Sequence, residues 1–175
     1  TKRIWIIMQL FKHLFLFIAG SVLLTACGIY SFTGASIPTE AKTVSVQYFS
    51  NKAATVQPTL SQVFTERLKD VFVEQTNLTL SENEGDLAFS GYISKYQIKP
   101  MAIKADETAG QNRLTIAAKV TYHNSFDAKS SFEHTFSRYR DYESLQNISD
   151  IESALIEEIA NELAEDVFNK AFVNW

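Results

Sequence analysis

The chain has 175 residues, 46% of them hydrophobic and 21% charged, with three prolines. That balance belongs to ordinary globular sequences and excludes disordered, collagen-like or mucin-like ones, with one domain as the default. A chain of this length hides about two thirds of its unfolded surface, so its core needs no disulfide or metal, and the single cysteine, Cys27, has no partner for an internal bridge. A net charge of −4 and a pI near 5.4 argue against a nucleic-acid binder, whose phosphate contacts need a basic surface.

Residues 1–26 contain Lys2, Arg3 and Lys12 but no acid, and they hold the apolar run from Leu14 to Leu24. Eleven residues at a helical rise span about half of a roughly 30 Å hydrocarbon layer, too little for a transmembrane helix but enough for the apolar part of a secretory signal. The competing reading is a buried core helix. The chain begins with Thr1, and Met8 stands four residues before Lys12, so we expect translation to start at Met8.

The apolar run leads into Leu24-Thr25-Ala26-Cys27-Gly28, which resembles the bacterial lipobox. Small residues before the cut fit a peptidase pocket, and a thiol is the group that becomes a diacylglyceryl thioether. The expected modification is therefore a covalent lipid on Cys27, and no other cofactor or metal is expected. Three acyl chains would anchor the protein far more firmly than one, at about 0.8 kcal/mol per buried methylene. Gly28 in place of an aspartate favours the outer membrane under the enterobacterial sorting rule. No lysine-acid cluster follows Cys27, so the periplasmic leaflet is expected. Without residues 1–26 the chain keeps 13 basic side chains against 20 acidic ones, a net charge of −7, so an anionic ligand must meet a local basic patch.

Residues 27–42 are expected to be a lipidated tether and first extended segment, and 43–175 a single domain. In that domain Thr43 to Phe49 alternates as a half-buried strand and 51–58 is a loop. From Thr59 to Gln75 the residues Leu60, Val63, Phe64, Leu68, Val71 and Phe72 form one helical stripe, opened by a capping box of Thr59 and Gln62. A short strand near Leu78 to Leu80 runs into the turn 81–86. Leu87 to Gln97 alternates Leu87, Phe89 and Ile93 with Ser90, Tyr92, Ser94 and Tyr96, and Gly91 inside it marks a bulge or a close neighbour.

Residues 100–110 form a longer connection with Lys104, Asp106 and Glu107. In the next strand Leu114, Ile116, Ala118, Val120 and Tyr122 face one way, and Arg113, Thr115, Ala117, Lys119, Thr121 and His123 the other. After a turn at 124–131, Phe132 to Tyr139 supplies its hairpin partner. The last element opens with a capping box at Ser149 and Glu152, and its stripe is Ile151, Leu155, Ile159, Leu163, Val167 and Phe168, with an acidic solvent side. Trp175 is left to pack or to touch a partner.

Strands with one apolar face and two amphipathic helices bury everything by laying both helices on one side of one sheet. The expected fold is α+β, a two-layer sandwich with a mostly antiparallel four-stranded sheet and two helices on one face. The opposite face would carry Arg113, Lys119, Thr115, Thr121, Tyr92, Tyr96 and Tyr139. Catalysis is not expected: His123 and His134 should point to opposite faces, and the chain has no nucleophile elbow, phosphate loop or helical histidine pair.

Over nearly all of 27–175 the chain resembles the LPS-assembly lipoprotein LptE family, in its Bacteroidetes-type form. The residues behind the resemblance are Cys27 to Pro38, Phe64-Thr65-Glu66-Arg67-Leu68, Gln75-Thr76-Asn77-Leu78, Gly85-Asp86-Leu87, Asn112-Arg113-Leu114-Thr115-Ile116, Phe136-Ser137-Arg138 and the stretch from Phe168-Asn169 to Trp175. The resemblance implies an outer-membrane lipoprotein that plugs an LptD-like β-barrel and helps to insert lipopolysaccharide. It also implies a sheet with two helices on one face. Lipopolysaccharide presents anionic groups beside acyl chains, so its candidate contacts are Arg113, Lys119, Arg138 and Arg140, with Lys104 in the adjoining loop; solvated strand positions or salt bridges to the acidic helix are the plainer roles. Two alternatives are an adaptor or activator of another envelope complex and a periplasmic lipid-binding carrier with an enclosed apolar cavity.

Overall fold

Two amphipathic segments and a set of alternating ones resolve into a six-stranded sheet covered by two helices. The computed structural model describes residues 37–101 and 110–173, all within one compact unit. The signal, Cys27, Lys104 and Trp175 lie outside the described residues.

The elements in chain order are β1 (Thr43–Val46), β2 (Ser50–Asn51), α1 (Leu60–Gln75), β3 (Thr79–Leu80), β4 (Leu87–Met101), β5 (Gln111–Asn124), β6 (Phe132–Glu143) and α2 (Ile148–Phe172). The sheet order is β3-β1-β4-β5-β6, with β2 also paired to β4. The sheet thus has six strands where four were expected, and the two extra ones are only two residues long: β3 is the short strand expected near Leu78 to Leu80, now paired into the sheet, and β2 was not expected. The long strands β4, β5 and β6 are antiparallel, as expected, whereas β1 pairs in parallel with β3 and β4, and β2 in parallel with β4. The parallel pairs arise because α1 makes a crossover, returning the chain to the same end of the sheet before β3 and β4 begin.

Both helices pack on the same face. Phe64, Leu68 and Phe72 of α1, together with Ile159, Leu163, Val167, Phe168 and Phe172 of α2, share one buried cluster with Phe89, Leu114, Val120 and Tyr122 of the sheet. Phe72 stacks near Phe89 with ring centres 4.4 Å apart, and Phe89 stacks on Tyr122 at 4.7 Å. Side chains alternate along each strand, so this burial leaves the odd-numbered positions of β5 and β6 on the open face.

Three local expectations need correction. Tyr96 is not on the open face: it is 6% exposed on the helix side and its hydroxyl donates to the Glu152 carboxylate. The cause is a register shift between Ile93 and Lys95, which inverts the alternation beyond it. Burial, followed by that carboxylate, pushes the Tyr96 phenol well above its usual range. Second, Thr59 makes no side-chain cap at α1; Gln57 Oε1 instead accepts from Thr59 N at 2.7 Å and Leu60 N at 3.0 Å. Third, α2 is capped by Asn147, whose side chain accepts from Ser149 N, and not by Ser149 with Glu152. Gly91 marks a close neighbour, and the bulge lies beyond it.

Candidate functional site

The open face is built from three rows of side chains that the antiparallel register brings level. Tyr92 stands opposite Lys119 and Thr135, Gln97 opposite Thr115 and Tyr139, and Lys99 opposite Arg113 and Asp141. Its apolar content is aromatic rings, the small Ala88 and the 4% exposed Ala117, and Met101 at the end of β4. Ser90, Thr115, Thr121, Thr135 and Ser137 add hydroxyls among charged and amide side chains. The helices carry ten acidic and three basic side chains, whereas on the open face Lys95, Lys99, Arg113 and Lys119 stand against Glu133, Asp141 and Glu143 of β6. The molecule therefore presents an acidic helical layer and an aromatic sheet face of nearly balanced charge, in which Lys95 and Lys99 are the cations without an ion pair among the described residues.

The five basic residues expected to meet lipopolysaccharide do not form one cluster. Arg113 lies on the open face, where Nε and Nη2 donate to the two Asp141 oxygens at 2.7 and 2.8 Å and the guanidinium stacks 3.7 Å from the Tyr139 ring centre. Asp141 accordingly stays below the usual aspartate range, mainly through its hydrogen bonds from Arg113. Lys119 is on the same face and pairs with Glu133 at 2.7 Å. Nearby, the Lys52 ammonium sits 4.5 Å from the Tyr92 ring centre.

Arg138 and Arg140 turn to the other side. Arg138 donates to both Asp166 oxygens at 2.6 and 2.5 Å, while Arg140 bridges Glu158 at 2.7 Å and Glu162. These bidentate pairs tie β6 to α2, the structural role of a guanidinium fork. A parallel tie from Arg67 to Glu157 joins α1 to α2 at 2.9 Å. Lys104 lies outside the described residues.

The pairing has a consequence for acid stability. Hydrogen bonds from Arg140 lower the Glu162 pKa from its ordinary 4.5. A depressed carboxylate contributes stability above its unfolded value, and that contribution is lost as pH falls through the folded value. Denaturant melts should therefore show stability falling below about pH 4.5, and Arg140→Gln should flatten that acid-side slope. An unchanged slope in the variant would remove Arg140 as its source. The pair is partly exposed, so the effect on total stability is small.

Sequence reasoning missed Lys95 and Lys99, which enter no ion pair among the described residues and lie on the open face beside Ala117 and Arg113. Both were hidden by the bulge: uninterrupted alternation from Leu87, Phe89 and Ile93 would place Lys95, Gln97 and Lys99 on the helix side, and only the register shift after Ile93 turns them to the open face. His123 is exposed opposite Ala88, and His134 packs on Phe136 at 4.8 Å; the two point to opposite faces, and neither bonds a carboxylate among the described residues.

The sequence model of the family described as LptE, lipopolysaccharide-assembly, matches residues 41–171. A minor lipoprotein from Acinetobacter baumannii is similar in structure, with a TM-score of 0.49 at 15% identity, covering 74% of this chain and 91% of that one. An uncharacterized lipoprotein B from Nitrosomonas europaea gives 0.45 at 10% identity, covering 76% and 82%. The rare lipoprotein B from Shewanella oneidensis gives 0.43 at 12%, covering 73% and 92%. No curated protein matches the chain.

Proposed function

Because this chain belongs to the LptE family of lipopolysaccharide-assembly proteins, we propose that it is an outer-membrane lipoprotein that plugs and assists an LptD-like β-barrel during lipopolysaccharide insertion. The observation behind the proposal is the family match across 41–171, which spans both helices and all six strands. A covalent lipid on Cys27 would hold the domain on the periplasmic side of the outer membrane. The tether then raises its effective concentration beside the barrel without any added contact.

The division of surfaces supports this reading. The apolar sides of the helices are used up inside the domain, and the open sheet face offers hydroxyls, rings and cations. Such a face suits the wet lumen of a large barrel, where fully apolar packing is absent. The same reading treats the protein as a scaffold and assigns it no catalytic step.

Within it, Arg113 and Lys119 are the better placed lipopolysaccharide contacts. Each is held by a single acid at the rim of the open face and sits beside an aromatic ring, so an incoming phosphate or carboxylate would replace one acid partner by another. Arg138 and Arg140 remain candidates, but a ligand would have to release α2, and Lys104 remains a candidate from the adjoining loop. Arg113→Glu and Lys119→Glu are expected to weaken lipopolysaccharide binding about tenfold each. Arg138→Glu and Arg140→Glu should chiefly lower thermal stability. Binding that is unchanged in all four variants, with outer-membrane permeability also unchanged, would assign these residues to structure alone.

A further inference from the structure

We infer that a groove at the β1 edge, separate from the basic residues above, is a binding site for an uncharged saccharide. It encloses about 790 Å³ and runs along β1 to the point where β1, β4 and β5 meet. Its concavity has a sequence cause. The register sets Ser45, Ala88 and His123 level across three strands, and the two small residues leave a hollow beside the imidazole. Segment 81–84 supplies the wall, with Lys69 and Leu80 at the rim.

Charge decides against an anionic ligand. Glu82 and Glu84 enter no ion pair among the described residues, whereas Lys69 is already held by Glu66 at 2.9 Å. Acyl chains are disfavoured because hydroxyl, amide, imidazole and carboxylate groups dominate the lining. Sugar hydroxyls donate and accept at once, and the groove offers both functions. Ser45 Oγ accepts from Gly85 N at 3.1 Å, which leaves its own proton to donate. Gln47 and Asn83 present amides that do both, and Leu80, 39% exposed, gives a small apolar ledge for a sugar's C–H face.

The groove is formed in advance. Asp86 Oδ2 accepts from Lys42 N at 2.9 Å, Thr43 N at 3.0 Å and Thr43 Oγ1 at 2.9 Å, so the end of the wall is clamped to the start of β1. Gly85 lies so close that a Cβ there would stand 2.8 Å from Ser45 N. A wall held in this way loses little freedom on binding.

The test is a titration of the isotope-labelled full chain in detergent, followed through its amide signals. Two neutral probes separate the sources of the sugar: phosphate-free core oligosaccharide from lipopolysaccharide and the trimer of N-acetylglucosamine found in cell-wall glycan. Saturable shifts at Gln47, Ser90 and His123, with a Kd near ~1 mM or below, support the site, and the probe that produces them identifies the source. Ala88→Phe, which fills the floor from the open face, should abolish the shifts. The double change Gln47→Ala with Asn83→Ala, which leaves the floor intact, should weaken binding about tenfold. Absence of shifts with either probe up to ~10 mM, or unaltered binding in the double variant, overturns the inference. The groove does not depend on which envelope complex the chain serves, so a negative result here leaves the barrel reading standing, and loss of the barrel reading leaves the groove.

Discussion

Replacing Gly91 with alanine is expected to cost the domain about 4 kcal/mol or more, enough to prevent folding in many single domains. Gly91 has a φ of +153° in the middle of β4, a conformation that L side chains rarely adopt. Space is an even stronger constraint: a Cβ there would lie 2.0 Å from the Lys119 carbonyl oxygen and 2.8 Å from Phe49 Cε1. The oxygen belongs to the backbone of β5 and cannot rotate aside, so the two longest strands would have to separate. That separation would also move Lys119 and Tyr92, which stand opposite one another on the open face. The check is a urea melt of Gly91→Ala beside the unaltered chain. A loss below about 1 kcal/mol would show that the β4–β5 ladder is looser than this geometry requires.

Phe72→Ala should be the next most damaging change, at about 3–5 kcal/mol. Phe72 is fully buried in α1 and its ring meets Phe89 of the sheet and both Phe168 and Phe172 of α2, at 4.4, 6.1 and 5.8 Å between centres. One side chain thus joins all three parts of the core. Deletion leaves a cavity bounded by rings that cannot collapse into it without moving a helix. Phe72→Leu keeps most of the volume and should cost less than half as much. Equal losses for the two variants in denaturant melts would mean that ring packing is not what joins the helices to the sheet.

The layering was legible because the apolar periods are strong. The stripe from Leu60 to Phe72 and the alternation from Leu114 to Tyr122 each assign a buried face without reference to anything distant, and together they require both helices on one side. The antiparallel order of β4, β5 and β6 was legible too, but the parallel pairing of the short strands was not. A two-residue strand such as β2 or β3 has no period, and its parallel partner lies across a helix. Tyr96 was misplaced because a single register shift after Ile93 cannot be seen in hydrophobicity alone. The same limit governs the candidate site. Arg113 and Lys119 follow from strand alternation, but the partners of Arg138 and Arg140 lie 28 and 22 residues away on α2, so their commitment to structure becomes visible only once the layers are assembled.

The central claim is a lipid-anchored partner for an outer-membrane barrel, and co-purification tests it most directly. The full chain carrying an affinity tag should be extracted from membranes in mild detergent, beside Cys27→Ser, and the recovered proteins identified. The account predicts that an LptD-like barrel is retained in amounts matching the lipidated chain, and that the variant takes up no fatty-acid label and recovers less barrel. A lipid-labelled chain recovered from the outer membrane without such a barrel would contradict it.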